Sequence, residues 1–269
     1  MIVRAAVCPS PPLLASRVTG QDVLLPELRD ACAAAVAWLL AAGPDTVAVL
    51  GPATATATWP PNTAPDLAMH APAAYPGPSA LPLALAIGAQ FLDAAGYSGP
   101  RVLASVAQSA SPGACLELGR ELAAAAPRVA LLVMGDGSAR RSAAAPGYLD
   151  DRAEPFDATV EQAFREGDLS ALTALDPDLA RDLLASGRPA WQALAGALSP
   201  VSRPAAPQTA VPRVNAIRAP AIPAPAGSAH ASASAVPTGA SSAPHLQTEV
   251  RYAAAPLGVA YLVATLTPR

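Results

Sequence analysis

The 269-residue chain contains no lysine and only three histidines, His70, His230 and His245. Without lysine there is no Walker-type phosphate loop, whose ammonium group must reach the terminal phosphates. The scarcity of histidine removes an HExxH zinc helix, and no GxSxG elbow is present. A serine triad would have to recruit His70, which reads as a loop histidine in DLAMHAP. Cysteine is equally sparse. Cys8, Cys32 and Cys115 form no CxxC pair, which suits buried thiols in a reducing compartment better than a disulfide framework or a zinc site. Charged residues make up 14% of the chain, the net charge is -3 and no basic run occurs, so the phosphate-neutralising footprint of a nucleic-acid binder is missing. No apolar run reaches the roughly 18 residues that span a bilayer. Only seven residues, Arg4 among them, precede Cys8, too few for the apolar region of a signal peptide. The chain is read as cytoplasmic, with no membrane and no nucleic acid among its partners.

What remains is a pattern of short apolar runs alternating with helical periodicity. Ile2 to Cys8, Thr46 to Leu50, Arg101 to Val106 and Val129 to Met134 read as strands, the last an unbroken apolar run of the kind covered on both faces. Between Gln21 and Ala42 the residues Leu25, Leu28, Cys32, Val36, Leu39 and Leu40 recur at helical steps, and Gly43-Pro44 ends the pattern. The break at Gly51-Pro52 is expected to end the second strand and to open a long proline-interrupted loop to about Pro78. A helix is expected around Leu83 to Ala95, and another is announced by Ser111-Pro112, an N-cap followed by proline at the first helical position. Three short helices are expected near Pro155 to Glu166, Pro177 to Ala185 and Pro189 to Ala197, Asp176-Pro177 and Arg188-Pro189 marking starts. The alternation implies a three-layer α/β fold, a mostly parallel central sheet with helices on both faces.

From Ser199 to Gln247 the composition becomes Pro, Ala, Ser and Thr, with Arg203, Arg213 and Arg218, no acidic residue and no apolar periodicity. Such a segment buries too little surface to offset the entropy of ordering it, and residues 199–247 are expected to be a disordered insertion. Two strand-like runs, Glu249 to Ala253 and Val259 to Leu266, resume beyond it. The expected organisation is one domain made of residues 1–198 and 248–269.

Polar groups concentrate between Val133 and Asp157, VMGDGSARRSAAAPGYLDDRAEPFD, directly after the most apolar strand. In sheets of this kind ligands bind beyond the carboxyl ends of the strands, where Gly135 to Arg141 would lie. The candidate binding residues are Asp136, Ser138, Arg140, Arg141, Tyr148 and Arg152. Arg140 and Arg141, beside glycine-freed backbone amides, could hold a carboxylate or phosphate, and Tyr148 could supply a stacking wall. Equally, Asp136, Ser138, Arg152 and Asp157 could pair charges and loop amides to hold the strand ends together.

Three pieces carry a resemblance. CPSPPLL at Cys8 to Leu14, GDGSARR with APGYLDDRAEPFD at Gly135 to Asp157, and YAAAPLGVAYLVAT at Tyr252 to Thr265 resemble the catalytic-subunit superfamily of the class III extradiol ring-cleavage dioxygenases, which includes Memo-like proteins. There a Pro-His-Pro-Pro turn follows the first strand, a Ser-Pro-His turn follows the second, and GDLSHR leads into a GYDPRGxEFD-like segment. The likeness implies the three-layer fold and a site where strand-end loops meet. Ring-cleaving members hold non-haem Fe(II) with two histidines and a carboxylate and move protons with another histidine. On that pattern the first ligand position is Ser10, the second falls near Ala53 and the proton-transfer position is Ala139. Alanine neither ligates nor titrates and a hydroxyl is a poor Fe(II) ligand, so even a carboxylate such as Glu249 would leave the set incomplete. The expectation is a member without ring-cleavage activity and without a cofactor, binding a small anionic molecule or a protein partner at the 135–152 loop. The alternative is an active Fe(II) oxidoreductase with other ligands. A homo-oligomer is compatible with either.

Overall fold

A computed structural model describes residues 1–15, 25–61, 81–199 and 246–269. His70, His230, His245 and residues 200–245 of the expected 199–247 insertion lie outside the described residues, whereas Leu246 and Gln247, expected in that insertion, open the strand Leu246–Ala254. Seven strands form one sheet in the order β3-β4-β2-β5-β1-β7-β6. They are β1 (Ile2–Cys8), β2 (Thr46–Ala53), β3 (Ala57–Trp59), β4 (Arg101–Ala107), β5 (Val129–Met134), β6 (Leu246–Ala254) and β7 (Tyr261–Pro268). The pairs β1/β5, β2/β5 and β2/β4 are parallel, whereas β3, β7 and β6 add antiparallel. Strands from both sides of the undescribed segment therefore belong to one sheet.

The apolar runs behave as a doubly covered sheet requires. Ala5, Leu50, Leu131 and Val133 pack into one core with α3 (Pro112–Ala123), α4 (Ala153–Glu166), α5 (Leu169–Thr173), α6 (Pro177–Asp182) and α7 (Arg188–Leu198). Ala6, Cys8, Val49, Leu132 and Met134, the alternate residues, pack into the other core with α1 (Pro26–Leu40) and α2 (Leu83–Ala94). This is the three-layer α/β fold that the alternation implies. Among the described residues no helix is long and apolar enough to cross a membrane.

Two helices begin where the sequence says they should. Ser111 Oγ accepts from Ala114 N at 3.3 Å, and Asp176 Oδ1 from Asp178 N at 2.8 Å, so each supplies an acceptor to an orphan N–H of the first turn. Strand β2 differs from expectation: it runs through Gly51-Pro52 to Ala53. Its pairing with β5 stops at Leu50, while its pairing with β4 continues to Ala53. Past Leu50 only one side of the strand has a partner, so a proline there removes no hydrogen bond from the central ladder. Strand β3, expected as loop, closes the edge with Trp59 Nε1 donating to Ser105 Oγ at 2.9 Å.

The tightest helix contact is α3 against α7. A Cβ on Gly119 would collide with the carbonyl oxygen of Ala193, and one on Gly196 with that of Leu116, so the two backbones approach as only glycine permits. Gly119→Ala is expected to lower stability by about 1–3 kcal/mol through overpacking, read from the midpoint of urea unfolding, with the slope unchanged.

Candidate functional site

The chain leaves β1 towards α1 and leaves β5 towards α4, which lie on opposite faces of the sheet. Because β1 and β5 are neighbours, their carboxyl ends mark the switch point of the sheet, the crevice position at which α/β sheets bind ligands. Ser10 and Asp136 face each other across it, Ser10 N donating to Asp136 Oδ1 at 2.8 Å. Part of Asp136 reaches solvent, yet its carboxyl is enclosed enough that burial pushes its pKa up to about 6 against the opposing bond from Ser10. The carboxylate's charge reaches further. Tyr261 is pushed up to about 12, by burial first and by Asp136 next. The Cys32 thiol is pushed up by its hydrogen bond with Cys8, by burial and by Asp136 among other charges. The β5 end is tied to the start of α7 as well: Asp136 N donates to Ser186 Oγ at 3.2 Å and Gly187 N to Asp136 O at 2.8 Å.

The remaining candidates turn away from this crevice. Ser138 is fully buried and donates to Asp157 on α4 twice, from N at 2.9 Å and from Oγ at 2.5 Å. Arg141 Nη1 reaches the same carboxylate at 3.3 Å and its Nη2 reaches Glu154 at 3.4 Å. Gly137 permits this arrangement, since a Cβ there would stand 2.8 Å from both Asp157 Oδ1 and Ala260 Cβ. Burial pushes the Asp157 carboxyl up against the hydrogen bonds from Ser138 and Arg141. A cavity of about 120 Å³ opens beside this group, lined by Arg141, Asp157, Trp191 and Tyr261 among others. Trp191 is almost fully buried and its Nε1 has no hydrogen-bond partner.

Arg152 holds Asp150 at 2.9 Å and Asp182 at 3.4 Å on the surface, and the Arg152 hydrogen bonds pull Asp150 down to about 2. Arg140 forms no ion pair among the described residues and its buried Nε lacks a partner. Tyr148 has φ +60, the left-handed region that non-glycine residues seldom occupy, and its side chain projects into solvent, 75% exposed. The loop thus divides its polar residues among three places. Asp136 serves the crevice, Ser138 and Arg141 serve α4, and Arg152 and Tyr148 stay on the surface.

A second feature of the loop has no polar signature. Of the large apolar side chains exposed among the described residues, Tyr148, Leu149, Leu184 and Leu257 gather here, and only Met1 does not. Leu184 lies against Gly147, and Gly258 lies against Ser142 and Ala145, its carbonyl accepting from Arg141 N at 2.9 Å.

Among the described residues no three His, Cys, Asp or Glu side chains stand close enough to share one metal ion. Ser10 spends its backbone N–H on Asp136, Ala53 and Ala139 carry no donor side chain, and Glu249 on β6 is engaged by Arg251 at 2.7 Å. That donor set does not fit the Fe(II) site of the ring-cleaving enzymes.

No family model matches this chain, and no curated protein matches it. Among solved structures, an uncharacterized protein from Escherichia coli K12 is similar, at 12% identity, covering 98% of this chain and 99% of its own, with a TM-score of 0.48.

Proposed function

We propose that this protein is a class III extradiol dioxygenase-like protein that works by recognition and not by ring cleavage, with the 135–152 loop as the docking surface for a protein partner. The observation that supports it is the gathering of Tyr148, Leu149, Leu184 and Leu257 on and around one loop. A surface that concentrates its exposed apolar side chains in one place is the usual mark of an interaction site, and a tyrosine raised from it is the usual anchor. The strained backbone at Tyr148 is consistent with that use, since its left-handed φ holds the ring out of the protein. Two of the three loop arginines support the small-anion reading less well, because Arg141 and Arg152 each already face two carboxylates, which leaves Arg140 as the one without an ion pair among the described residues.

The test replaces Tyr148 with a photo-cross-linkable phenylalanine analogue in cells, with exposed Glu117 on the outer face of α3 as the control position. A discrete cross-linked species from position 148, absent from position 117 and lost when Leu184→Asp is added, is the expected result. Equal products at both positions, or none, would overturn the docking surface. Separately, the purified protein supplied with Fe(II) and oxygen is expected to leave catechols intact, and turnover abolished by Asp136→Ala would establish the enzymatic alternative.

A further inference from the structure

Arg188, the first residue of α7, is 2% exposed and has no carboxylate within ion-pair distance among the described residues. A guanidinium buried without a counter-charge is costly, and such groups are ordinarily paired. Burial pulls its pKa below the usual arginine value. Its fork is only partly used. Nη1 donates to Ala110 O at 2.7 Å and to Gln192 Oε1 at 3.0 Å, and Nη2 donates to Gln108 O. Nε has no partner. Nη1 also lies 3.9 Å from Cys115 Sγ, so the positive charge is held by neutral groups alone. A guanidinium in that state is the group to which a carboxylate is drawn.

Arg188 also lines a cavity of about 440 Å³, within the size range of small-molecule sites. It lies between the loop after β4, where Ser109 is exposed at the mouth, and the segment from α6 to α7, which contributes Ala180, Leu184, Ala185 and Pro189. Arg181 on its wall is already paired with Asp178 at 2.7 Å, so Arg188 supplies the uncompensated charge. The 11-residue helix α7 opens on the same cavity without a side-chain cap, Gly187 having none to offer, and its first turn adds positive potential.

We infer that this cavity is a binding site for a small organic carboxylate with an apolar body, its carboxylate paired with the uncompensated Arg188 guanidinium and its chain against the alanine, leucine and proline wall. The site shares the Leu184 side chain with the 135–152 docking surface but rests on Arg188, and it stands whether or not that surface has a partner.

The probe is hexanoate, with hexanol and inorganic phosphate beside it, read by the melting temperature of the full chain. In the parent, hexanoate is expected to raise the melting temperature saturably, as any ligand of the folded state does, while hexanol and phosphate do not. Arg188→Gln is expected to weaken the apparent affinity about tenfold or more. Because that change also loosens the β4–α3 loop, Ser109→Trp provides a second arm: it obstructs the mouth from an exposed position, leaves Arg188 untouched, and is expected to melt like the parent yet lose the hexanoate shift. No shift in the parent, or a shift that survives in both variants, overturns the site. A shift with phosphate in place of hexanoate, lost in both variants, overturns the carboxylate assignment.

Discussion

Asp157→Ala is expected to lower stability by about 3–5 kcal/mol, the usual cost of removing one partner from a buried charged group and stranding the rest. Asp157 is 9% exposed and accepts from Ser138 N, Ser138 Oγ and Arg141 Nη1. With alanine there, a fully buried N–H, a fully buried hydroxyl and one arm of an arginine all lose their acceptor at once, and each buried unmet donor costs on the order of 1–3 kcal/mol. The charge attraction is not the source of this loss, because burial outweighs the pairing and leaves the Asp157 carboxyl pushed up. Asp157→Asn is therefore expected to be much milder, since its amide oxygen still accepts from Ser138. The contrast is Arg152→Ala on the same loop. Both its ion pairs lie at the surface, where solvent screening and side-chain entropy leave such pairs little net stability. Urea unfolding of the three variants, compared at constant slope, checks the order Asp157→Ala, then Asp157→Asn, then Arg152→Ala. A parent-like midpoint for Asp157→Ala would mean that Ser138 finds another acceptor and that the loop is not pinned through α4.

How far the sequence shows these features depends on whether each is set locally. The central strands are legible because a strand covered on both faces needs an unbroken apolar run, and Val129 to Met134 has nothing else to be. Strand β3 is three residues long and, among the described residues, pairs with β4 alone, about fifty positions away, so no local pattern announces it. Helix α5 is five residues held by an Asp168 cap, too short to show a period. The candidate loop is legible as a concentration of polar residues, but not in its division, because the partners that divide it come from the turn after β1, from α4 and from α6. Arg188 does carry a signal in the residues that follow it. Past Pro189 the helix has no charged residue, and all eleven of its positions are buried, so an arginine at its start is committed to the interior. Recognising that Arg188 opens a helix says where it stands, and only the apolar text after it says that it stands out of water.

Asp136 sets the expected pH response. Its folded-state pKa, raised to about 6 from an ordinary 3.8, means that the folded protein holds this proton more tightly than the unfolded chain. A raised pKa contributes stability that is fully present below the unfolded value and is lost as pH climbs through the folded one. The loss therefore falls between about pH 4 and pH 6. At about 1.4 kcal/mol per unit, a shift of about two units is worth roughly 3 kcal/mol at pH 7 or above. Asp136→Asn removes the ionisation while keeping an oxygen to accept from Ser10 N, so the variant is expected to unfold like the parent near pH 4 and to be the more stable of the two by up to about that amount at pH 8. Asp136→Ala also removes the charge but leaves Ser10 N unmet, a cost of about 1–3 kcal/mol that offsets the gain. The measurement is unfolding free energy from pH 4 to pH 8 for parent, Asn and Ala. Parallel curves for parent and Asn would show that the crevice solvates its carboxylate fully. Curves that diverge between about pH 4 and pH 6 and run parallel above it would place a proton-exchanging carboxyl at the mouth of β1 and β5, where a protonated and an ionised crevice present different faces to whatever enters.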